Sequence, residues 1–314
     1  MSHSDLPDGI LIVDKPGGLT SHDVVLKIRK YTPQKKVGFI GTLDPLATGV
    51  LPICIGKATK LSSFLSSQDK EYLAHILLGI RTDTDDISGR IVEEREVSVP
   101  PGKVKKVVES FTGDIEQIPP LYSAIKRGGK KLYQYAREGK KISLPPRKLR
   151  IHSLELADIL DGKELVIKVR CSKGTYIRSL ARDIGKELGC GATLKELRRL
   201  ASGNFDLSMA HSLVEIHQAY QEGSLGNMVM PPGEFLKDLK AVVVRGGSDN
   251  RIRNGAPLTG AMDYFQDQSI GRGEHFRVED GKGEIVAIYR AEQDMEGEQG
   301  RRGDIILARP YIML

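Results

Sequence analysis

The side chain best placed to do chemistry in this chain is the carboxylate of Asp44, carried in the run GTLDPLATGVLP at residues 41–52. Pro45 lacks a backbone N–H and pushes the residue before it toward extended geometry, which disfavours a regular helix through Asp44 and sets the aspartate on a bend. Gly41 and Gly49 free the backbone on either side, and Thr42, Ala47 and Thr48 leave room for a large ligand to approach. A carboxylate displayed in this way can act as a nucleophile. An Asp-Pro pair on its own is also an ordinary turn starter, so the motif gains meaning from its surroundings.

The charge distribution supplies the first of these. Lysines and arginines number 47 against 41 acids, a net charge of +6, and the excess is concentrated between Leu121 and Arg150. There ten cations (Lys126, Arg127, Lys130, Lys131, Arg137, Lys140, Lys141, Arg147, Lys148 and Arg150) meet one acid, Glu138. Tyr122, Tyr133 and Tyr135 are interleaved with them. Cations follow a phosphate backbone and rings stack on unpaired bases, so RNA is the natural partner of this segment. A solvated loop would carry the same lysines for solubility alone.

The Asp44 run closely resembles the sequence around the catalytic aspartate of the bacterial tRNA pseudouridine synthase B (TruB) family, whose hallmark is a GTLDP-type loop followed by ATGVLP. The resemblance continues through GILIVDKP at 9–16, GKATKLS at 56–62, DKEYLA at 69–74, RTDTDD at 81–86, GDIEQIPPLYSAIK at 113–126, SKGTYIRSLARDIG at 172–185 and LRRLASG at 197–203. It covers most of residues 9–203 and, more loosely, the C-terminal part. What it implies is an isomerase that turns the T-loop uridine at tRNA position 55 into pseudouridine, with the tRNA T-arm as partner and no metal or nucleotide cofactor.

The resemblance also assigns roles. Asp44 is the implied nucleophile, and Arg178 of GTYIR is its ionic partner; a guanidinium suits a two-point grip on a carboxylate whose burial would otherwise raise its pKa. Tyr176, two residues earlier, is expected on the same face of an extended strand and helps line the pocket. Tyr72 stacks on the target base and is implicated in the C5 proton step, although an aromatic in a strand is more often plain core. Lys60 supports the RNA backbone or the structure near Asp44, and Leu197 packs around the flipped base, a leucine that helical spacing would make simple core. Lys126, Arg127, Lys130, Lys131, Arg137, Lys140 and Lys141 belong to an insertion that closes over the T-arm. One departure stands out: where the family pattern reads GHTGTLDP, this chain has Phe39 and Ile40, which removes a polar contact to RNA and leaves a ring for stacking. A Phe39→His change is therefore expected to alter tRNA affinity more than chemistry.

These residues need a scaffold. GILIV at 9–13 reads as a strand ending in a turn, Thr20 to Asp23 offer N-caps for a helix through VVLKIRKY, and Val50–Ile55 and Tyr72–Leu78 are β-rich with a helix over 57–67 between them. A helix over 103–111, strands over 149–159 and 164–170 joined at Asp161-Gly162, and a helix over 178–188 follow. The glycine- and proline-rich stretch 221–238 marks a linker or packed crossover, and short β runs continue beyond it. The expected fold is α+β: a mixed, mainly antiparallel sheet flanked by helices, as in pseudouridine synthases, then a small β pseudobarrel of PUA type. The expected division is a catalytic unit at 1–235, with the basic insertion at about 121–150, and an RNA-binding unit at 236–314.

Composition narrows the remaining classes. No apolar window reaches the roughly 18 residues of a membrane helix and the polar start lacks a signal-peptide pattern, so a soluble, cytoplasmic protein is expected; nothing in the sequence sets its oligomeric state, and a monomer is the default expectation. Cys54, Cys171 and Cys190 are scattered and odd in number, which fits neither a disulfide framework nor a CxxC knuckle. A zinc base deaminase lacks its PCxxC segment here. A non-catalytic RNA-binding protein leaves the Asp44 context unexplained, and a retaining glycosidase would need Asp44 to pair with Asp83, Asp85 or Asp86.

Overall fold

The computed structural model describes residues 6–123, 125–140, 142–246, 248–266, 268–295 and 304–314. Its centre is an 11-stranded mixed sheet. Along the main path the strands run His211–Ser212, Gly9–Lys15, Thr48–Ile55, Ala192–Ser202, Lys70–Leu78, Glu164–Cys171, Arg147–Leu160 and Gly113–Gln117. All neighbours on that path are antiparallel except two parallel joins, one of which, Thr48–Ile55 against Ala192–Ser202, lies at the middle of the sheet. The apolar run Ile10 to Val13 is fully buried, as a central strand covered on both faces requires.

The parallel join explains a glycine. Gly49 stands opposite Arg199 with φ +100, and a Cβ there would lie 2.2 Å from the Arg199 carbonyl oxygen. Only glycine lets the two backbones meet, so this residue of the Asp44 run serves sheet closure as well as loop freedom.

Helix Ser21–Arg29 begins with a capping box: Thr20 Oγ1 accepts the Asp23 N–H at 3.0 Å, and the Asp23 carboxylate accepts the Thr20 N–H at 2.9 Å. Helix Ile177–Leu188 buries Ile177, Leu180, Ala181, Ile184 and Leu188 on one face and stops at Gly189, whose φ of +87 is the left-handed C-terminal turn. The expected helix over 57–67 is a 3₁₀ turn, Gly56–Leu61, running into the short helix Ser62–Leu65. Two local expectations are corrected. Leu197 lies in the strand Ala192–Ser202, not on a helix, because its neighbours alternate between faces of the sheet. Tyr176 is not in a strand with Arg178: it is the extended residue just ahead of the helix, and Arg178 sits in that helix's first turn.

The 221–238 stretch is a packed crossover. Within it Val229–Met230 pairs with Gly9–Lys15, and the short helix Pro232–Phe235 follows. Beyond it a six-stranded sheet is ordered Leu258–Thr259, Ile306–Met313, Ile285–Ala291, His275–Glu279, Ala241–Val244 and Tyr264–Phe265, with its own core around Phe276 and Tyr289. A shared apolar cluster joins the two sheets, with Ile10, Ile12, Ile40 and Phe205 from one side and Phe235, Leu236 and Ile288 from the other. Among the described residues no helix is long and apolar enough to cross a membrane.

Candidate active site

The Asp44 bend forms one wall of a cavity of ≈ 470 Å³, room for a nucleoside, whose other walls carry Tyr72, Tyr122, Tyr133, Tyr176, Arg178, Leu197 and Arg199. Arg178 Nη2 donates to Asp44 Oδ1 at 3.2 Å, and Nε lies 2.9 Å from Oδ2 as a charge contact rather than an aligned hydrogen bond. The Asp44 side chain is 35% exposed while that of Arg178 is 5% exposed, so the carboxylate faces the cavity and the cation is sealed beneath it. Burial pushes the Asp44 carboxyl above its ordinary range, Arg178 pulls it back, and the nearby Asp86 pushes it up again.

Arg178 is itself fixed from several sides. Nη1 donates to the Thr84 carbonyl at 3.1 Å, Nη2 to the Tyr122 carbonyl at 2.9 Å, and Nη1 stands 3.7 Å from Asp86 Oδ2. Asp86 is committed elsewhere too, accepting from the Ser88 N–H at 3.0 Å and Thr84 Oγ1 at 2.9 Å. Asp85 pairs with Arg182 at 2.8 Å, and Asp83 accepts from the Arg90 N–H. The three aspartates of RTDTDD thus build a turn that holds the arginine, and a second free carboxylate of the kind a retaining glycosidase needs is not formed from them.

The bend is held from below. Lys15 is fully buried and its ammonium donates to the carbonyls of Pro16 at 2.8 Å, Leu19 at 2.7 Å and Pro45 at 3.3 Å. Ser21 Oγ accepts the Leu43 N–H and donates to the Leu43 carbonyl, at 2.9 and 3.1 Å. Tyr176 is fixed through its backbone: the buried Gln117 side chain accepts its N–H at 2.9 Å and donates to its carbonyl at 3.1 Å. Tyr72, 8% exposed, stands directly across the ladder from Arg199. Burial raises the Tyr72 phenol, and the facing Arg199 guanidinium opposes that.

The sequence-predicted residues therefore divide. Asp44, Tyr72, Tyr176, Arg178 and Leu197 meet at one cavity. Lys60 is exposed on the 3₁₀ turn and does not line it. Phe39, in the short strand Val37–Phe39, packs partly buried against the main core and does not line it either, while Ile40 is buried in the cluster between the sheets. In the basic segment, Lys126–Arg127 and Lys130–Lys131 form a small hairpin followed by helix Leu132–Arg137. Lys130 and Lys140 both pair with Glu138, and the Lys130 and Lys131 ammonium groups lie 5.0 and 5.6 Å from the Tyr135 and Tyr133 ring centres. Lys141 lies outside the described residues.

No group of three or more His, Cys, Asp or Glu suited to a metal occurs among the described residues. The three cysteines are buried and free, and burial pushes the Cys54 thiol up to about 12 and the Cys171 thiol, on the cavity wall, to about 11, which leaves those two poor nucleophiles.

Comparison with known proteins gives this cavity its context. Residues 29–177 match the TruB family pseudouridylate synthase N-terminal domain, and residues 178–237 match the tRNA pseudouridylate synthase B C-terminal domain. The chain is 43% identical over 284 residues to tRNA pseudouridine synthase B of Syntrophus aciditrophicus, covering 90% of this chain and 91% of that one. It is 46% identical over 248 residues to the protein of the same name from Alkaliphilus oremlandii, covering 79% and 82%. The chain belongs to the TruB family. Like its TruB relatives it is a tRNA pseudouridine synthase.

Among solved structures, a chain of a Cbf5-Nop10-Gar1 complex matches with a TM-score of 0.74 at 28% identity, covering 98% of this chain and 85% of that one. A chain of an H/ACA RNP bound to a substrate RNA containing 2′-deoxyuridine matches with a TM-score of 0.73 at 26% identity and the same coverage. The TruB chain thus has the α+β pseudouridine synthase fold expected of it, with a C-terminal β unit of PUA type. Sequence reasoning missed Lys15, Lys70, Gln117 and Arg199 as parts of the site, and weighed Asp86 only as a second carboxylate for a glycosidase. For Lys15 the signal was present, a charge closing an apolar strand; Gln117 left none, because its partner is backbone 59 residues away.

Proposed function

We propose that this enzyme isomerises the T-loop uridine at tRNA position 55, with Asp44 as nucleophile. The observation that carries this reading is the Asp44 carboxylate, gripped by a sealed arginine and facing a nucleoside-sized cavity between Tyr72 and Tyr176. The reaction breaks the N-glycosidic bond, turns the uracil, rejoins it through C5 and moves the C5 proton. It needs an ionised nucleophile, a path for that proton and a pocket that keeps the detached base. Asp44 supplies the first, Arg178 opposes the burial that would protonate it and aims it, Tyr72 stacks on the base and serves the proton step, and Tyr176 and Leu197 close the pocket. Attack at C6 or at C1′ uses the same carboxylate.

To reach the cavity the uridine must leave its stack, which costs roughly a few kcal/mol. The basic hairpin and its tyrosines offset that by gripping the T-arm, and Tyr133 already reaches the cavity wall. The unit at 1–235 does the chemistry, with Lys60 and Phe39 at its periphery, and the β unit at 236–314 adds RNA contact. The protein acts as a monomer in the cytoplasm, without cofactor. The test is to incubate it with T-arm RNA, without metal or cofactor, and to look for pseudouridine at position 55 with unchanged RNA mass. Activity that survives Asp44→Asn would exclude the proposed nucleophile.

A further inference from the structure

Beneath Tyr72 and the Gly41–Asp44 bend lie two buried cations that form no ion pair among the described residues. Lys70 is 7% exposed and Arg199 is 1% exposed, and both line the cavity. Lys70 is two residues before Tyr72 on one strand, hence on the same face, and Arg199 is the direct cross-strand partner of Tyr72. The two converge: a Cβ placed on Gly41 would lie 3.3 Å from Arg199 Nη1 and 3.6 Å from Lys70 Cε. Neutral groups answer them: the Ser66 and Gln68 carbonyls at 2.6 Å for Lys70, and for Arg199 the carbonyls of Val50 at 2.7 Å and Gly41 at 2.9 Å together with the Tyr72 hydroxyl. Like charges brought together away from water oppose each other and each opposes its own burial, so a wall of this kind suits an anion that arrives during the reaction.

We propose that Lys70 and Arg199 stabilise the negative charge that the uracil carries once its bond to the ribose has broken. This rests on the pseudouridine synthase reading. Heterolysis of the N1–C1′ bond leaves its electron pair on the base whichever atom Asp44 attacks, shared by N1 and O2 and, where C6 has not been attacked, by O4 as well. When C5 then bonds to C1′, one proton leaves C5 and one is gained at N1, so nothing is consumed. The detached base is the one anionic species common to both routes, and fixed cations beside it are in place before the charge forms.

The test is single-turnover breakage of the N-glycosidic bond in T-arm RNA carrying either uridine or 5-fluorouridine at the target. Fluorine makes the departing base a more stable anion, so it needs less help. Lys70→Met is expected to slow the uridine substrate on the order of 100-fold and the 5-fluorouridine substrate about tenfold less severely. Equal slowing of both, or weaker RNA binding with an unchanged rate at saturation, would overturn the proposal.

A second readout survives if Lys70→Met does not fold. The Lys70 ammonium faces Arg199, Lys173, Asp69, Cys171 and Tyr72, and burial lowers it to about 8, while Cys171 is pushed up to about 11 and Tyr72 is also raised. The wild-type rate should fall as pH rises through about 8, and Lys70→Arg should move that fall to higher pH. A limb that stays in place refutes the role of Lys70. If the wild-type protein makes no pseudouridine from T-arm RNA, it is the functional reading that fails.

Discussion

Gln117 holds Tyr176 by both ends of its peptide, accepting the N–H at 2.9 Å and donating to the carbonyl at 3.1 Å. The helix that carries Arg178 has no side-chain cap of its own, so this amide both places the tyrosine and sets where the helix starts. Gln117→Leu leaves the half-buried Tyr176 N–H without a partner, while the Tyr176 carbonyl keeps the Leu180 N–H at 3.0 Å. We expect a stability loss of about 1 to 2 kcal/mol in denaturant unfolding. The single-turnover rate should fall by more than the affinity for T-arm RNA, because Tyr176 and Arg178 lose their shared anchor. An unchanged rate would mean that the helix start is fixed by other contacts.

The pH dependence follows from Asp44. Its carboxyl is raised above 3.8 by burial, with Arg178 opposing, and the nucleophile we propose is its ionised form. The rate should therefore climb with pH through a value above the ordinary carboxylate range. Stability runs the other way: the fold favours the protonated carboxyl, so stability is lost as pH rises from the unfolded value through the raised one. At neutral pH, Asp44→Asn should thus be inactive and melt no lower than the parent, since Arg178 keeps Asp86 and two carbonyls. Thermal midpoints of the two proteins at pH 7 check this, and a lower midpoint for the variant would show that the ion pair supports the fold.

How far the sequence foretold the site depends on the range over which each residue acts. Asp44 was legible because Pro45 sets the bend locally and two glycines free the backbone on either side of it. The helix carrying Arg178 was legible from its apolar spacing, yet the placement of Tyr176 was not, because a buried amide from a distant strand sets it. Arg199 reads as an ordinary surface charge in LRRLA; only the pairing of its strand with two others puts it at 1% exposure. Phe39 reads as a stacking ring in the sequence, whereas in the structure it packs against the core. Phe39→His is accordingly expected to lower stability by about 1 kcal/mol through lost apolar burial and to leave T-arm affinity unchanged; thermal unfolding and filter binding separate the two outcomes.

Lys15 ties three carbonyls together under the Asp44 bend. Lys15→Met keeps the length of the side chain but donates to none of them. The expected stability loss is about 2 to 4 kcal/mol, together with a slower chemical step, since Asp44 then rides on a looser loop. Rates measured at saturating RNA distinguish this from weakened binding. A variant as fast as the parent would show that Ser21 and the Gly18 N–H, which donates to the Pro45 carbonyl at 2.8 Å, hold the bend without help.

Glu138 pairs with both Lys130 and Lys140, and so occupies two cations of the basic segment with its single negative charge. If those cations meet phosphates, Glu138→Gln should release them. Affinity for T-arm RNA should rise at low salt, and the slope of log K against log salt should steepen by about 0.7 to 0.9 for each additional phosphate neutralised. The advantage should fade at high salt, where released counterions no longer drive binding, and the single-turnover rate should not change because Glu138 does not line the cavity. A salt slope identical to that of the parent would mean that Lys130 and Lys140 do not touch RNA, and that the hairpin contributes through its tyrosines instead.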